Sequence, residues 1–192
     1  MQTNAHTGTT IDEVAAGIYR INTPLRIDAI PGGFNLSQYL IVDDEPMIFH
    51  TGWRRWFPFV SEAISKVIPL DQIRHIGYSH FEGDEAGAMN EFLAVAPHAV
   101  PFASHVGLMT SLNDHADREG RGLADGETFS TGKKTWQWID MHTQPRLAPS
   151  WSVWHRSIPQ HSPVSMGVPT EAMVLACCEN SLQSSKKNRG WQ

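Results

Sequence analysis

Residues 73–87 read Ile73-Arg74-His75-Ile76-Gly77-Tyr78-Ser79-His80-Phe81-Glu82-Gly83-Asp84-Glu85-Ala86-Gly87. The first six form a short, apolar-rich run of the kind that makes a buried strand. From 87 to 96, GAMNEFLAVA, the apolar residues recur at helical spacing. Between strand and helix, His80, Glu82 and Asp84 alternate, so three ligand-type side chains can project to one side, with Glu85 beside them as a fourth. One imidazole with three carboxylates suits iron, manganese or zinc, and the oxygen-rich set leans toward iron or manganese. The same acids have a plainer reading. Asp84 and Glu85 sit where the dipole of the following helix favours negative charge, so they can be helix-start residues alone.

Working outward, residues 17–22 alternate as a strand, and residues 36–42 with 47–50 flank the turn Asp43-Asp44-Glu45-Pro46, which predicts a β-hairpin. Phe59, Val60, Ala63, Ile64, Val67 and Ile68 recur at three and four, an amphipathic helix that Pro69 ends. Residues 100–103 and the alternating Lys134-Thr135-Trp136-Gln137-Trp138-Ile139 are further strands, with 126–129 read as a connection. Strands and helices in alternation predict the α/β class.

The chain has 192 residues, 41% hydrophobic and 18% charged, with a formal charge of −5, enough for one domain with its own core. No basic face predicts nucleic acid or an anionic membrane as partner, and no apolar run approaches the ~20 residues of a membrane helix. A polar start without a secretory pattern points to the cytoplasm. Cys177 and Cys178 are adjacent and offer neither a disulfide frame nor zinc-clip spacing.

Smaller features read as structural. Gly32-Gly33 is a turn and too short for a phosphate loop. Residues 114–121 read as a solvated charged loop, and Trp53 and Trp56, with Arg54 and Arg55 between them, as packing over the first helix. His50 follows a strand and can approach the 80–85 loop, although a hydrogen-bonded structural histidine is the simpler reading. No G-x-S-x-G or Ser-His-Asp order supports a nucleophilic hydrolase.

Pro31-Gly32-Gly33-Phe34-Asn35, Gln38-Tyr39-Leu40-Ile41-Val42-Asp43, Phe49-His50-Thr51-Gly52, His80-Phe81-Glu82-Gly83-Asp84-Glu85 and Leu123-Ala124-Asp125-Gly126-Glu127 together resemble the metallo-β-lactamase fold. Within it, they resemble the oxygen-binding di-iron branch shared with flavodiiron proteins. The resemblance covers residues 10–140 and implies an αββα sandwich with its N-terminal half intact and its C-terminal half incomplete. It also implies a dinuclear iron site, with zinc or manganese as alternatives, in which His80 and Glu82 bind one ion and Asp84 the second. Glu85 stands where the branch has histidine and makes the second position richer in carboxylate.

Residues 141–192 depart from that pattern. They hold five Lys/Arg against two acids, contain no aspartate, and show no sustained period. The bridging aspartate and final histidine that the resemblance implies are missing, and His142 is the one histidine soon after the last strand. The expectation is an aberrant or poorly ordered tail, lacking sheet packing, from a frameshift or truncation, with a divergent half as the alternative. Three functions follow from the resemblance. One is a di-metal protein handling oxygen or nitric oxide, impaired by the missing ligands and fed by a separate electron-donor protein. Another is a metal-dependent hydrolase, and the last a non-catalytic fragment. A small-molecule substrate and a homodimer are the implied partners.

Overall fold

In a computed structural model, residues 1–25 and 33–140 are described in full and residues 174–179 as backbone. The strands among the described residues are, in chain order, β1 (Gln2–Asn4), β2 (Thr9–Ala15), β3 (Ile18–Leu25), β4 (Phe34–Ile41), β5 (Met47–Phe49), β6 (His75–Gly77), β7 (Val100–Ser104), β8 (Arg121–Leu123), β9 (Thr128–Ser130), β10 (Lys134–Ile139) and β11 (Val174–Glu179). The helices that frame the core and the site are α1 (Phe57–Ser65), α2 (Gly83–Ala86) and α3 (Met89–Val95).

β1 to β8 form one sheet in sequence order. The first five strands run antiparallel, as short turns allow, whereas β5 to β8 run parallel, each joined to the next by a helical crossover. The alternation in β4 explains the two faces. Leu40 turns toward the helices, with Ile21, Ile48, Val60, Ile64 and Phe92. Tyr39 and Ile41 turn the other way, toward Phe102, Phe129, Trp136 and Trp138 of the second layer. That layer is a smaller sheet, β9–β10–β11. Helix, sheet and sheet are thus stacked, and each interface is apolar.

Several expectations are corrected here. Residues 1–15 supply β1 and β2, which the sequence pattern does not reveal. Residues 126–129 do not merely connect, since Thr128 begins β9. Arg121 belongs to the edge strand β8, not to a solvated loop. The helix expected over 87–96 is α3, Met89–Val95, and a short α2, Gly83–Ala86, which the spacing does not show, precedes it. Val174–Glu179 pairs antiparallel with all of β10, Ile139 opposite Val174, where no strand is expected. The other expectations for the tail, and His142, lie outside the described residues.

Candidate functional site

The parallel register fixes the site. Phe49 pairs with Gly77, so the chain leaving β5 and the chain leaving β6 emerge side by side at the carboxyl ends of the strands. His50 follows β5 directly, and Ser79 comes two residues after β6. Open α/β sheets present their ligand-binding groups at this edge. His50 takes a left-handed backbone conformation, φ 64°, the sole non-glycine residue to do so among the described residues. Such a backbone costs on the order of 1–2 kcal/mol. Its neighbour Gly52 has φ 80°, and together they turn the chain back toward the 80–85 loop. The turn is held there by the Thr51 amide and hydroxyl, which both donate to the Glu85 carbonyl at 2.6 and 3.0 Å.

Three of the four expected residues come together. His80 Nε2 lies 3.0 Å from Glu82 Oε1, and His80 Nδ1 lies 3.0 Å from Glu85 Oε2. Glu85 Oε2 also accepts the Ser79 hydroxyl and the His80 amide, each at 3.0 Å. Asp84 acts on both His80 and Glu85 through its charge. Two further residues join them, His50, which reads from sequence as a structural histidine, and Ser79, to which the sequence assigns no role. His50 Nε2 lies 2.9 Å from Ser79 Oγ and 3.6 Å from Glu85 Oε1. The signal available in the sequence is position, since each of the two follows a strand of the same parallel pair. A continuous polar chain therefore runs His50, Ser79, Glu85, His80, Glu82, from half-buried to exposed.

The protonation states follow from these contacts. Burial alone would lower the His80 pKa, but the bond with Glu82 and the charges of Glu85, Glu82 and Asp84 outweigh it and hold the ring above its usual range. Both ring nitrogens face a carboxylate, which the doubly donating imidazolium satisfies. Burial raises Glu85, with Asp84 adding to the shift, against the His80 amide and charge and the Ser79 hydroxyl. His50 goes the other way, lowered to about 4 by burial and then by the charge on His80, so it is neutral at pH 7.

Among the described residues, the side chains do not by themselves make a dinuclear centre. Two ions need a ligand set each and a carboxylate between them, and a histidine ligand must offer a lone pair. Here both nitrogens of His80 are engaged by carboxylates. No three His, Cys, Asp or Glu side chains among the described residues converge as a metal ion requires.

By sequence, no family model and no curated protein matches the chain. Solved structures do. The rubredoxin:oxygen oxidoreductase of Desulfovibrio gigas superposes with a TM-score of 0.61 at 22% identity over 68% of this chain and 35% of its own. A flavo di-iron protein mutant of Thermotoga maritima gives 0.65 at 18% over 88% and 39%, and a metallo-β-lactamase of Cronobacter sakazakii 0.52 at 20% over 68% and 52%. The chain has the metallo-β-lactamase fold. It spans little more than a third of the length of the first two of these structures. The fold puts the His80 loop at the carboxyl edge of the parallel strands, as the motif leads one to expect. Hydrogen bonds, not convergence of ligands, organise that loop in this metallo-β-lactamase-like chain.

Proposed function

We propose that the chain is a metallo-β-lactamase-fold protein of the oxygen- or nitric-oxide-handling di-iron type whose motif loop holds at most one metal ion, and weakly. The observation that supports this is His80, clamped between Glu82 and Glu85. For Nε2 to become a ligand, the ring must lose a proton and its bond to Glu82, and both changes oppose binding. Once freed, His80 Nε2, Glu82 and Asp84 are the candidate ligands. Glu85, on Nδ1, occupies the place of a carboxylate that orients a ligating histidine from behind. Iron is the first choice of ion, with zinc and manganese as alternatives. Bound iron would supply redox chemistry toward a small molecule such as oxygen, with electrons arriving from a separate donor protein.

The test is metal analysis of the full chain after incubation with iron(II), zinc or manganese(II) and gel filtration. Zero to one ion per chain is expected, abolished by His80→Ala. Two tightly held irons would refute the proposal. A visible absorption band with iron supports the redox reading, whereas colourless zinc protein with ester turnover would favour the hydrolase.

A further inference from the structure

We infer that Ser79 is a nucleophilic hydroxyl, served by His50 as base, which accepts acyl groups from small activated esters without a metal ion. Geometry carries this. His50 Nε2 lies 2.9 Å from Ser79 Oγ, within the reach required of a base on a nucleophile. The Ser79 backbone amide also donates to Nε2, at 3.3 Å. That nitrogen therefore presents a lone pair, the form in which it can take a proton. The hydroxyl donates its one proton to Glu85 Oε2 at 3.0 Å, and a rotation about the Cβ–Oγ bond turns that proton to His50 Nε2, 2.9 Å from the same oxygen.

The imidazole is held in place. Its ring stacks on Phe49, with centroids 4.7 Å apart and planes at 24°. Its backbone keeps the disfavoured φ of 64°, and strain of this kind persists where a side chain's placement matters. Access is narrow, because the His50 side chain is 18% exposed and Ser79 9%. The two residues also lie at the sheet edge where ligands enter.

In the step itself, Ser79 Oγ forms a bond to the ester carbonyl carbon and its proton passes to His50 Nε2. The bond from carbon to the leaving alcohol then breaks, and the alcohol leaves with that proton. Water later cleaves the acyl–serine bond, releasing the acid and restoring the hydroxyl. No oxidant, reductant or metal enters the balance.

The experiment uses the full chain treated with EDTA and exposed to an alkyl fluorophosphonate, which transfers phosphorus to Oγ with loss of fluoride and of the hydroxyl proton. The expected result is a single adduct, mapped to Ser79 by peptide mass. It should be absent from urea-denatured chain and from Ser79→Ala, and form about 100-fold more slowly in His50→Asn, in keeping with the usual worth of a general base. Asparagine tolerates the left-handed backbone, so this variant tests the imidazole and not the turn. No adduct at Ser79, an equal rate in denatured chain, or an equal rate in a folded His50→Asn would overturn the inference. Should a variant fail to fold by circular dichroism, the adduct site and the native-to-denatured rate ratio of the unaltered chain decide alone. Ester turnover that appears only with added zinc, and without an adduct, would sink this inference and leave the metal reading standing.

Discussion

Asp43 ends the β4 side of the hairpin turn, and its carboxylate does more than close that turn. It accepts the amides of Lys133 and Lys134 at 3.1 and 2.8 Å and the Thr131 hydroxyl at 3.0 Å, so one side chain pins the β9–β10 turn of the second sheet to the first. Burial by itself would raise its pKa, but these donors, with the Asp44 amide, outweigh it and hold the carboxyl below its ordinary 3.8. A depressed carboxylate stabilises the fold above the unfolded-state value, and that contribution fades as pH falls through the folded-state value. Asp43→Ala should therefore cost about 1–3 kcal/mol at pH 7, measured by urea unfolding, and the gap from the unaltered chain should shrink below pH 4. A gap that stays constant down to pH 2 would show that charge is not what Asp43 contributes. Asp43 is legible in the sequence as a turn residue only, since the donors lie about ninety positions away. His50 and Ser79 escape for a similar reason. Residues 29 apart meet only after β5 and β6 have chosen their register, whereas His80, Glu82 and Glu85 share one loop and are visible as a group.

β6 shows what an element can and cannot disclose. Its apolar run is visible, as are β4, β5, β7, β10 and α1, because each keeps a period of two or a three-and-four spacing over enough residues to stand out. β1, β2, β8 and β9 are not, being polar or only three residues long, with hydrogen bonding and not periodicity deciding them. Within β6, Gly77 reads as an ordinary strand glycine, but it is a packing requirement. A methyl there would lie 2.1 Å from Phe102 Cζ and 2.5 Å from two further ring atoms. Phe102 cannot yield cheaply, since it is 3% exposed and meets Phe49, Phe129 and Trp138. Gly77→Ala should destabilise the chain by about 1–3 kcal/mol, the usual cost of overpacking. The double variant Gly77→Ala with Phe102→Leu should cost less than the sum of the two single changes, because the smaller side chain vacates the space. Strict additivity in thermal unfolding would show that the two side chains do not share that space.

At the scale of the whole molecule, the question is what completes the sandwich. The second sheet has β10 at its centre, with β9 on one side and β11 on the other. Trp136 and Trp138, 2% and 1% exposed, fill the space between the sheets from that central strand. The amides of an antiparallel strand face its two neighbours alternately. The Trp138 amide donates to the Glu127 carbonyl beside β9, at 2.8 Å, so the amides of Thr135, Gln137 and Ile139 face β11. Alternation and short apolar runs make β3 to β7 of the first sheet and β10 of the second readable. The partner of β10 is not, because Val174-Leu175-Ala176-Cys177-Cys178-Glu179 has no alternation and begins 35 positions beyond Ile139. Hydrogen exchange separates the two edges of β10. In the full chain, all of its inner amides should be protected. In a chain ending at Met173, Thr135, Gln137 and Ile139 should exchange freely while Trp136 and Trp138 stay protected by β9. Equal protection of both sets in the shortened chain would show that β11 is not what closes that edge, and loss of both would show that the second sheet needs β11 to form at all.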